Sequence, residues 1–420
     1  MIIRTVKQAF NKVITIPGSK SITNRALLLS AMAKGESHLD NLLLSDDTFA
    51  MIEALRSLGV DIKLDQDSKQ AIVQRGSFKF DAPIQVNINN SGTTARFITA
   101  LCGAIKGNFI IQAKEQMQKR PMSGLYEALE SQGVSIKIKV GQSFPCEIHS
   151  EGLLPGGEII FNENTSSQFV SAILMAAPFF KNKATIIAKA LSRDAYIQMT
   201  TQMMKVFGVD VEEIAPYQWV IESGQAYQVI QYKIEPDLSS ASYFLAAAAM
   251  TNSEITIPGV SQESIQGDRA FVEVLEQMGF DIRFVEEGLN LKGKKNFQGV
   301  TVDMSNCSDT FMTLACMAPF ADTPSLIKGL SHTKHHEVER VKCLGLEFEK
   351  LNIQYEYGDD FIKIYPSKPL ATKLDSHHDH RLAMSLALIG LKIPGIEINN
   401  ADAVTKTFPE YFYLLKGLSE

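Results

Sequence analysis

Basic side chains cluster beside hydroxyl-rich turns in this chain. Lys20 and Ser21 stand in IPGSKSITNR, which closes on Arg25. Gly92 stands in NSGTTAR, closed by Arg96, and Arg120 precedes Pro121 in QKRPMSG. Ser166, Ser167 and Gln168 form the turn SSQFVS, and Ser192 and Arg193 lie in LSRDAY. Further on, Asp309 lies in CSDTFM, Glu337 and Arg340 in HHEVER, Arg381 in HDHRLAM and Lys406 in TKTFPE. Ser, Thr, Asn and Asp favour helix N-caps, and the exposed N–H groups of a helix N-terminus attract anions. Guanidinium and ammonium groups beside such turns add fixed charge. The chemistry this suits is the holding of phosphate and carboxylate groups. Gly92 has no Cβ and admits close approach of a ligand to backbone. Asp309 and Glu337 are candidates for proton transfer among these cations. On residue type alone, blander assignments stand beside each of these. Arg25 reads also as a surface helix arginine, Arg96 as structural, Ser166 and Ser167 as caps, Asp309 as an N-cap and Glu337 as a solvated helical acid. Ser239 and Ser240 open a similar turn and are assigned structure only.

The elements that must position these residues repeat six times. A short polar turn opens an Ala/Leu/Met-rich helix, which runs into a β-rich segment. The copies begin SITNRALLLSAM at Ser21, SGTTARFITALC at Ser91, SSQFVSAILMAA at Ser166, SSASYFLAAAAM at Ser239, SDTFMTLACMAP at Ser308 and HDHRLAMSLALI at His378. The period is roughly 70 residues, long enough for one supersecondary unit. A second phrase follows most copies: LRSLGVDIKL, LESQGVSIKI, MKVFGVDVEE, LEQMGFDIRF and LEFEKLNIQYEY. It reads as an amphipathic helix ending near Gly, then an alternating strand. No such unit buries its helix and covers its sheet alone. Two joints, Pro17-Gly18 and Pro236, divide the chain. If both are crossovers, residues 20–232 form one lobe from repeats one to three. Residues 1–19 and 233–420 form the other from repeats four to six, with a cleft between the lobes as the natural ligand site.

Composition excludes several classes. The chain has 420 residues, 45% hydrophobic and 21% charged, with net charge −6. That size fits more than one core of an enzyme, and the sign disfavours nucleic acid or an anionic membrane as partner. No apolar run approaches the ~20 residues of a membrane span. The N-terminal MIIRTVKQAFNKV has scattered charges and no signal-peptide apolar region. Five cysteines, odd in number and without C-x-x-C spacing, suit structural thiols in a reduced cytoplasmic protein.

PGSKSITNRALLLSAMAKG followed by NLLLSDDTFAM resembles the N-terminal signature of the 5-enolpyruvylshikimate-3-phosphate (EPSP) synthase family. NSGTTAR and KRPMSGLYEAL resemble two further family elements. SSQFVSAILMAAP, EPDLSSASYFLAAAA, QGDRAFVEVLEQMG, DHRLAM and TKTFPEYF follow in family order, so the resemblance spans essentially the whole chain. It implies an α/β fold, a two-lobed inside-out α/β barrel of six β-α-β-α-β-β repeats. It implies transfer of the enolpyruvyl group of phosphoenolpyruvate to the 5-hydroxyl of shikimate 3-phosphate, with release of phosphate. It also implies no cofactor or metal, a monomer and a target of glyphosate.

By the same resemblance, Lys20, Gly92, Arg120, Gln168, Arg340, Arg381 and Lys406 hold phosphoenolpyruvate. Lys20, Ser21, Arg25, Ser166, Ser167, Gln168, Ser192, Arg193, Asp309 and His336 hold shikimate 3-phosphate. Lys20, Asp309, Glu337 and Lys406 take catalytic roles, with Asp309 at the 4- and 5-hydroxyls and Glu337 placed to protonate C3.

One segment departs from the family pattern. Where the family usually reads R-x-K-E-[ST]-D-R, this chain reads KHHEVER from Lys334 to Arg340. His336 replaces the lysine, so a fixed charge becomes a conditional one. Either His336 takes the lysine's place, or Lys334 reaches in and His336 faces solvent. Six of the eight histidines, His332, His335, His336, His377, His378 and His380, fall in the last two repeats. Their spacing matches no zinc pattern, and no metal is expected. Two alternatives accompany the synthase. A UDP-N-acetylglucosamine enolpyruvyl transferase would use a loop cysteine that AKEQMQKRPMSGL lacks. A catalytically weakened metabolite-binding relative has His335-His336 as its sequence support.

Overall fold

Beyond its polar first turns, the first helix of each repeat is apolar or small-residue on every face, and such a helix must be buried all round. Gly92–Ala104, Leu238–Met250 and His380–Gly390 are buried along their whole lengths. The computed structural model describes residues 1–162, 165–191 and 194–419, with His335 as backbone only. The second helices are amphipathic. Ala270–Gln277 buries Phe271, Val272, Val274 and Leu275 and exposes its charges. Four of these helices end before a glycine of positive φ, at Gly59, Gly133, Gly208 and Gly279, the left-handed C-terminal stop. In the fifth copy Asn352, φ 57°, takes that place; asparagine tolerates the left-handed region better than other non-glycine residues.

Five sheets have four strands and share one order: first, second, fourth, third. The first two strands are parallel and the others antiparallel, as in Ile84–Asn87, Lys106–Gln112, Cys146–Glu151 and Ser135–Ile138. This is the β-α-β-α-β-β repeat. The sixth sheet holds only the parallel pair Lys373–Asp375 and Glu397–Asn399, so the last repeat lacks its antiparallel strands among the described residues. Each first helix packs on strands of its own sheet. The sheets stay open, and among the described residues none closes on itself as a barrel.

The chain forms two compact units, Gly18–Ile234 and Met1–Pro17 with Glu235–Glu420. The exchange of first strands accounts for this discontinuous arrangement. The strand for repeat four is the N-terminal Asn11–Val13, parallel to Glu254–Pro258. The strand for repeat one is Gln231–Lys233, parallel to Glu36–Asp40. The changeovers thus fall after Pro17 and Ile234, against 19 and 232 in the sequence analysis. In the discontinuous unit the three first helices, Leu238–Met250, Phe311–Met317 and His380–Gly390, pack on one another and form its core. No helix among the described residues is long and apolar enough to cross a membrane.

Candidate active site

In the unit Gly18–Ile234 the basic residues stand at the starts of buried helices. Lys20 is the first residue of Lys20–Met32, and its Nζ lies 3.3 Å from Asp47 Oδ2. Asp47 comes from the first turn of Asp46–Ser57. Arg25, one turn further along, is buried rather than at the surface. Its Nε donates to Thr200 Oγ1 at 2.8 Å, Nη1 to the Ser21 carbonyl at 3.0 Å and Nη2 to the Tyr196 carbonyl at 3.2 Å. The guanidinium also lies 5.2 Å from the Phe97 ring centroid. Burial lowers its pKa to about 10, with Tyr196 opposing. Arg25 therefore stays charged at neutral pH while its partners among the described residues are neutral, an arrangement that favours an incoming anion.

Gly92 begins Gly92–Ala104, whose N-cap Ser91 accepts from the Thr94 amide at 3.3 Å. A Cβ at Gly92 would lie 2.5 Å from Arg120 Nη1 and 2.9 Å from Arg96 Nη1. Arg120 is thus packed over the helix start. Arg96 is structural in its contacts: it donates to the Gly92 and Pro121 carbonyls, each at 3.0 Å. Ser166 is an N-cap, accepting from the Gln168 amide at 3.3 Å, and Ser167 begins the helix Ser167–Ala176. Ser192 and Arg193 lie outside the described residues.

In the other unit Arg340 is the hub. Its Nε donates to Asp379 Oδ2 at 2.9 Å, Nη1 to Asp309 Oδ1 at 3.2 Å and Nη2 to Glu337 Oε2 at 3.0 Å. The second oxygen of Asp309 accepts from Arg381 Nη2 at 2.9 Å, and that of Glu337 from Lys406 Nζ at 2.9 Å. Both candidate carboxylates are therefore shared between two cations. Burial works against the Arg340 charge, but Asp379, Glu337 and Asp309 outweigh it and raise its pKa. Asp309 is not a helix cap. It sits between the short 3-10 turn Ser305–Cys307 and the helix Phe311–Met317, whose N-cap is Thr310. Glu337 is not a solvated acid either, with its side chain only 9% exposed.

Residue type gave no pointer to several partners in this cluster. Asp379, fully buried, caps His380–Gly390 by accepting from the Arg381 and Leu382 amides, besides holding Arg340. Its signal was its place in the D-H-R motif. Ser239, assigned structure only, donates its Oγ to Asp268 Oδ2 at 2.5 Å and lies 3.4 Å from Arg381 Nη2. Asp237, not Ser239, caps that helix. Burial, then Asp309, pushes the Asp268 carboxyl up to about 7, with Arg381 opposing.

In the HHEVER segment the arrangement with Lys334 reaching in and His336 facing solvent is not found. Lys334 pairs with the exposed Asp359 at 2.7 Å. His336 turns inward, with Nδ1 2.8 Å from Arg340 Nη1. A guanidinium only donates, so Nδ1 accepts and this contact needs the ring unprotonated there. The His336 ring also meets that of His332, centroids 5.7 Å apart, and His332 Nε2 lies 2.8 Å from Ser308 Oγ. Among the described residues no group of three or more His, Cys, Asp or Glu gathers to hold a metal ion.

Fold and cations together define an α/β protein of repeated units whose buried helices begin beside basic side chains. The sequence model of the family described as EPSP synthase (3-phosphoshikimate 1-carboxyvinyltransferase) matches residues 5–415, and the chain belongs to that family. The 3-phosphoshikimate 1-carboxyvinyltransferase of Nostoc punctiforme is 38% identical over 95% of this chain and 94% of its own length. That of Pseudoalteromonas translucida is 37% identical over 98% and 97%. An EPSP synthase structure from Acinetobacter baumannii superposes with a TM-score of 0.84 at 24% identity, covering 100% of this chain and 97% of that one. At that identity the likeness shows the fold alone. The relatives do not favour the UDP-N-acetylglucosamine alternative.

Proposed function

We propose that this chain transfers the enolpyruvyl group of phosphoenolpyruvate to the 5-hydroxyl of shikimate 3-phosphate, releasing phosphate, in chorismate and aromatic amino acid biosynthesis. The observation that carries this is the pair of carboxylates, Asp309 and Glu337, each between Arg340 and a second cation. Addition needs a base and an acid close together among cations. The 5-hydroxyl oxygen bonds to C2 as its proton passes to Asp309. The C2=C3 π pair takes a proton from Glu337 at C3. Elimination then breaks the C2–O bond to phosphate, C3 returns its proton and the double bond re-forms.

Arg340, Arg381 and Lys406, with Lys20, Gly92, Arg120 and Gln168, are assigned to phosphoenolpyruvate. Lys20, Ser21, Arg25, Ser166, Ser167, Gln168, Ser192, Arg193, Asp309 and His336 are assigned to shikimate 3-phosphate. The buried Arg25, with its neutral partners, supports the phosphate assignment. Lys20 and Lys406 supply ammonium charge to the leaving phosphate. Anionic substrate on Arg340 and Lys406 competes with Glu337 for them, which raises the proton affinity of Glu337 when an acid is needed.

Phosphate release and the mass of the enolpyruvyl ether, followed with both substrates, test this. One phosphate per ether is expected. Turnover only with UDP-N-acetylglucosamine as acceptor, or binding without turnover, overturns it in favour of one of the two alternatives. The same proposal takes the chain as a cytoplasmic monomer, in keeping with its five free cysteines; sedimentation tests the monomer.

A further inference from the structure

Arg340, Arg381 and Lys406 lie on three separate elements. Arg340 opens the helix Arg340–Lys350, Arg381 is the second residue of His380–Gly390, and Lys406 ends the 3-10 helix Ala401–Lys406. One polar cluster, away from the carboxylates Asp309 and Glu337, touches all three. At its centre is Glu347, whose side chain is 0% exposed. Glu347 lies two turns after Arg340 on the same helix. It accepts from Lys350 Nζ at 2.8 and 2.9 Å, from the Asp375 amide at 2.9 Å and pairs with His377 Nε2 at 2.8 Å.

The cluster continues into the other two elements. Asp375 Oδ1 accepts from the His377 amide at 2.6 Å and from Asn400 Nδ2 at 3.1 Å. Ser376 Oγ donates to the Asn400 carbonyl at 3.0 Å, and the Asp379 amide donates to the Ser376 carbonyl at 2.8 Å. Asn400 immediately precedes the 3-10 helix that ends in Lys406. Asp379 caps the helix that carries Arg381 and itself holds Arg340. Burial opposes the Asp375 charge, but the His377 amide and Asn400 hold its carboxyl below the usual range.

The segment between is backbone of an unfavourable kind. His377 and His378 both take positive φ, 49° and 60°. Two consecutive non-glycine residues there are strained and persist only where surrounding contacts hold them. The His377 side chain supplies such a contact through Glu347, whereas His378 is exposed.

We propose that His377 and Glu347 are positioning residues: they fix the strained turn so that Arg340, Arg381 and Lys406 are held in one register. The proposal rests on the enolpyruvyl-transfer activity proposed above. Neither residue touches the proton-transfer carboxylates. They act through Asp379 on Arg340 and Arg381, and through Asn400 on Lys406.

Steady-state kinetics of the full chain, with amide hydrogen exchange read by mass spectrometry, tests this. His377→Leu is expected to raise KM for phosphoenolpyruvate about tenfold, the scale of a misplaced binding group, with KM for shikimate 3-phosphate changed less. Exchange at the Arg381 and Leu382 amides, both bonded to Asp379, rises while the helix Leu238–Met250 stays protected. His377→Gln keeps a donor within reach of Glu347 and recovers most of the loss. His378→Gly relieves strain without touching the cluster and stays near wild type. Should His377→Leu not fold, Glu347→Gln gives the same kinetic split with packing retained. Unchanged exchange and KM in these variants, or lost stability without a shift between the two KM values, overturns the proposal. A wild type that turns over neither substrate sinks the activity instead, and the exchange at Arg381 and Leu382 still decides the positioning role.

Discussion

Arg25 and Arg340 are the same residue type, each 2% exposed, one in each unit, and their charges are treated in opposite ways. Around Arg25 the partners are a hydroxyl, two carbonyls and a ring, and burial pulls its pKa down to about 10. Around Arg340 stand Asp379, Glu337 and Asp309, which overcome burial and raise its pKa. A desolvated cation with neutral partners gains by meeting an anion. A cation already matched by carboxylates gains only by exchange. Arg25 therefore suits binding. The Arg340 cluster suits chemistry, because an arriving anion there redistributes charge over groups that can carry protons.

The largest test of this contrast is Arg340→Met. Breaking a buried ion pair by removing one partner costs about 3–5 kcal/mol, and here three carboxylates lose their shared cation. Denaturant unfolding should show a loss of that order, and kcat should fall by about 100-fold or more. Arg25→Met should differ in kind. It removes a charge that burial disfavours, so stability should move by less than about 1 kcal/mol, while KM for shikimate 3-phosphate rises about 10- to 100-fold, the worth of a charge-assisted hydrogen bond. Equal losses of stability in the two variants would erase the contrast.

How far the site was legible in the sequence follows the same division. Lys20, Gly92, Ser166 and Ser167 stand at helix starts, and a helix start is a local signal: polar turn, then apolar helix. The repeat was legible for the same reason, down to the glycine stops and their Asn352 substitute. In the Arg340 cluster most members were named but their pairing was not legible, because the pairs are distant in the chain. Arg340 and Asp379 are 39 residues apart, Glu337 and Lys406 69, and Asp309 and Arg381 72. Without those partners Asp309 resembles a cap and Glu337 a surface acid. The contact of His336 was not legible either: its imidazole nitrogen meets Arg340 within the same segment, a choice set by the three-dimensional turn. The sixth repeat was grouped with the others on its first helix, and no second phrase follows that helix, in keeping with a sheet that lacks antiparallel strands among the described residues.

Gly92→Ala asks how finely the binding side is fitted. The added methyl would meet Arg120 Nη1 at 2.5 Å and Cζ at 3.1 Å, so the guanidinium must move. Displacement of one binding group should raise KM for phosphoenolpyruvate about tenfold, and weaken glyphosate inhibition at least as much. Thermal unfolding should change little, since the contact lies at the end of a flexible side chain. Unaltered KM with full glyphosate sensitivity would mean that Arg120 yields without consequence, and that phosphoenolpyruvate does not depend on its position.

Asp268 offers the smallest effect and the sharpest check on the charge balance of the Arg340 unit. Arg340, Arg381 and Lys406 face Asp309, Glu337 and Asp379, three cations to three carboxylates. A fourth carboxyl, Asp268, sits behind Ser239 and is pushed by burial and then Asp309 from 3.8 up to about 7. Its folded value exceeds its unfolded one, so the unfolded chain releases this proton first. Stability from this group is greatest below pH 4, falls as pH rises toward 7 and is flat above. Asparagine at 268 has no proton to lose. Between pH 5 and 8, the stability of wild type relative to Asp268→Asn should decline, by on the order of 1–2 kcal/mol. Chemical denaturation of both proteins at four pH values gives that difference directly, with the other titrating groups common to both. A difference that stays constant with pH would mean that Asp268 is ionised throughout, and that the cluster carries a net negative charge before any substrate arrives.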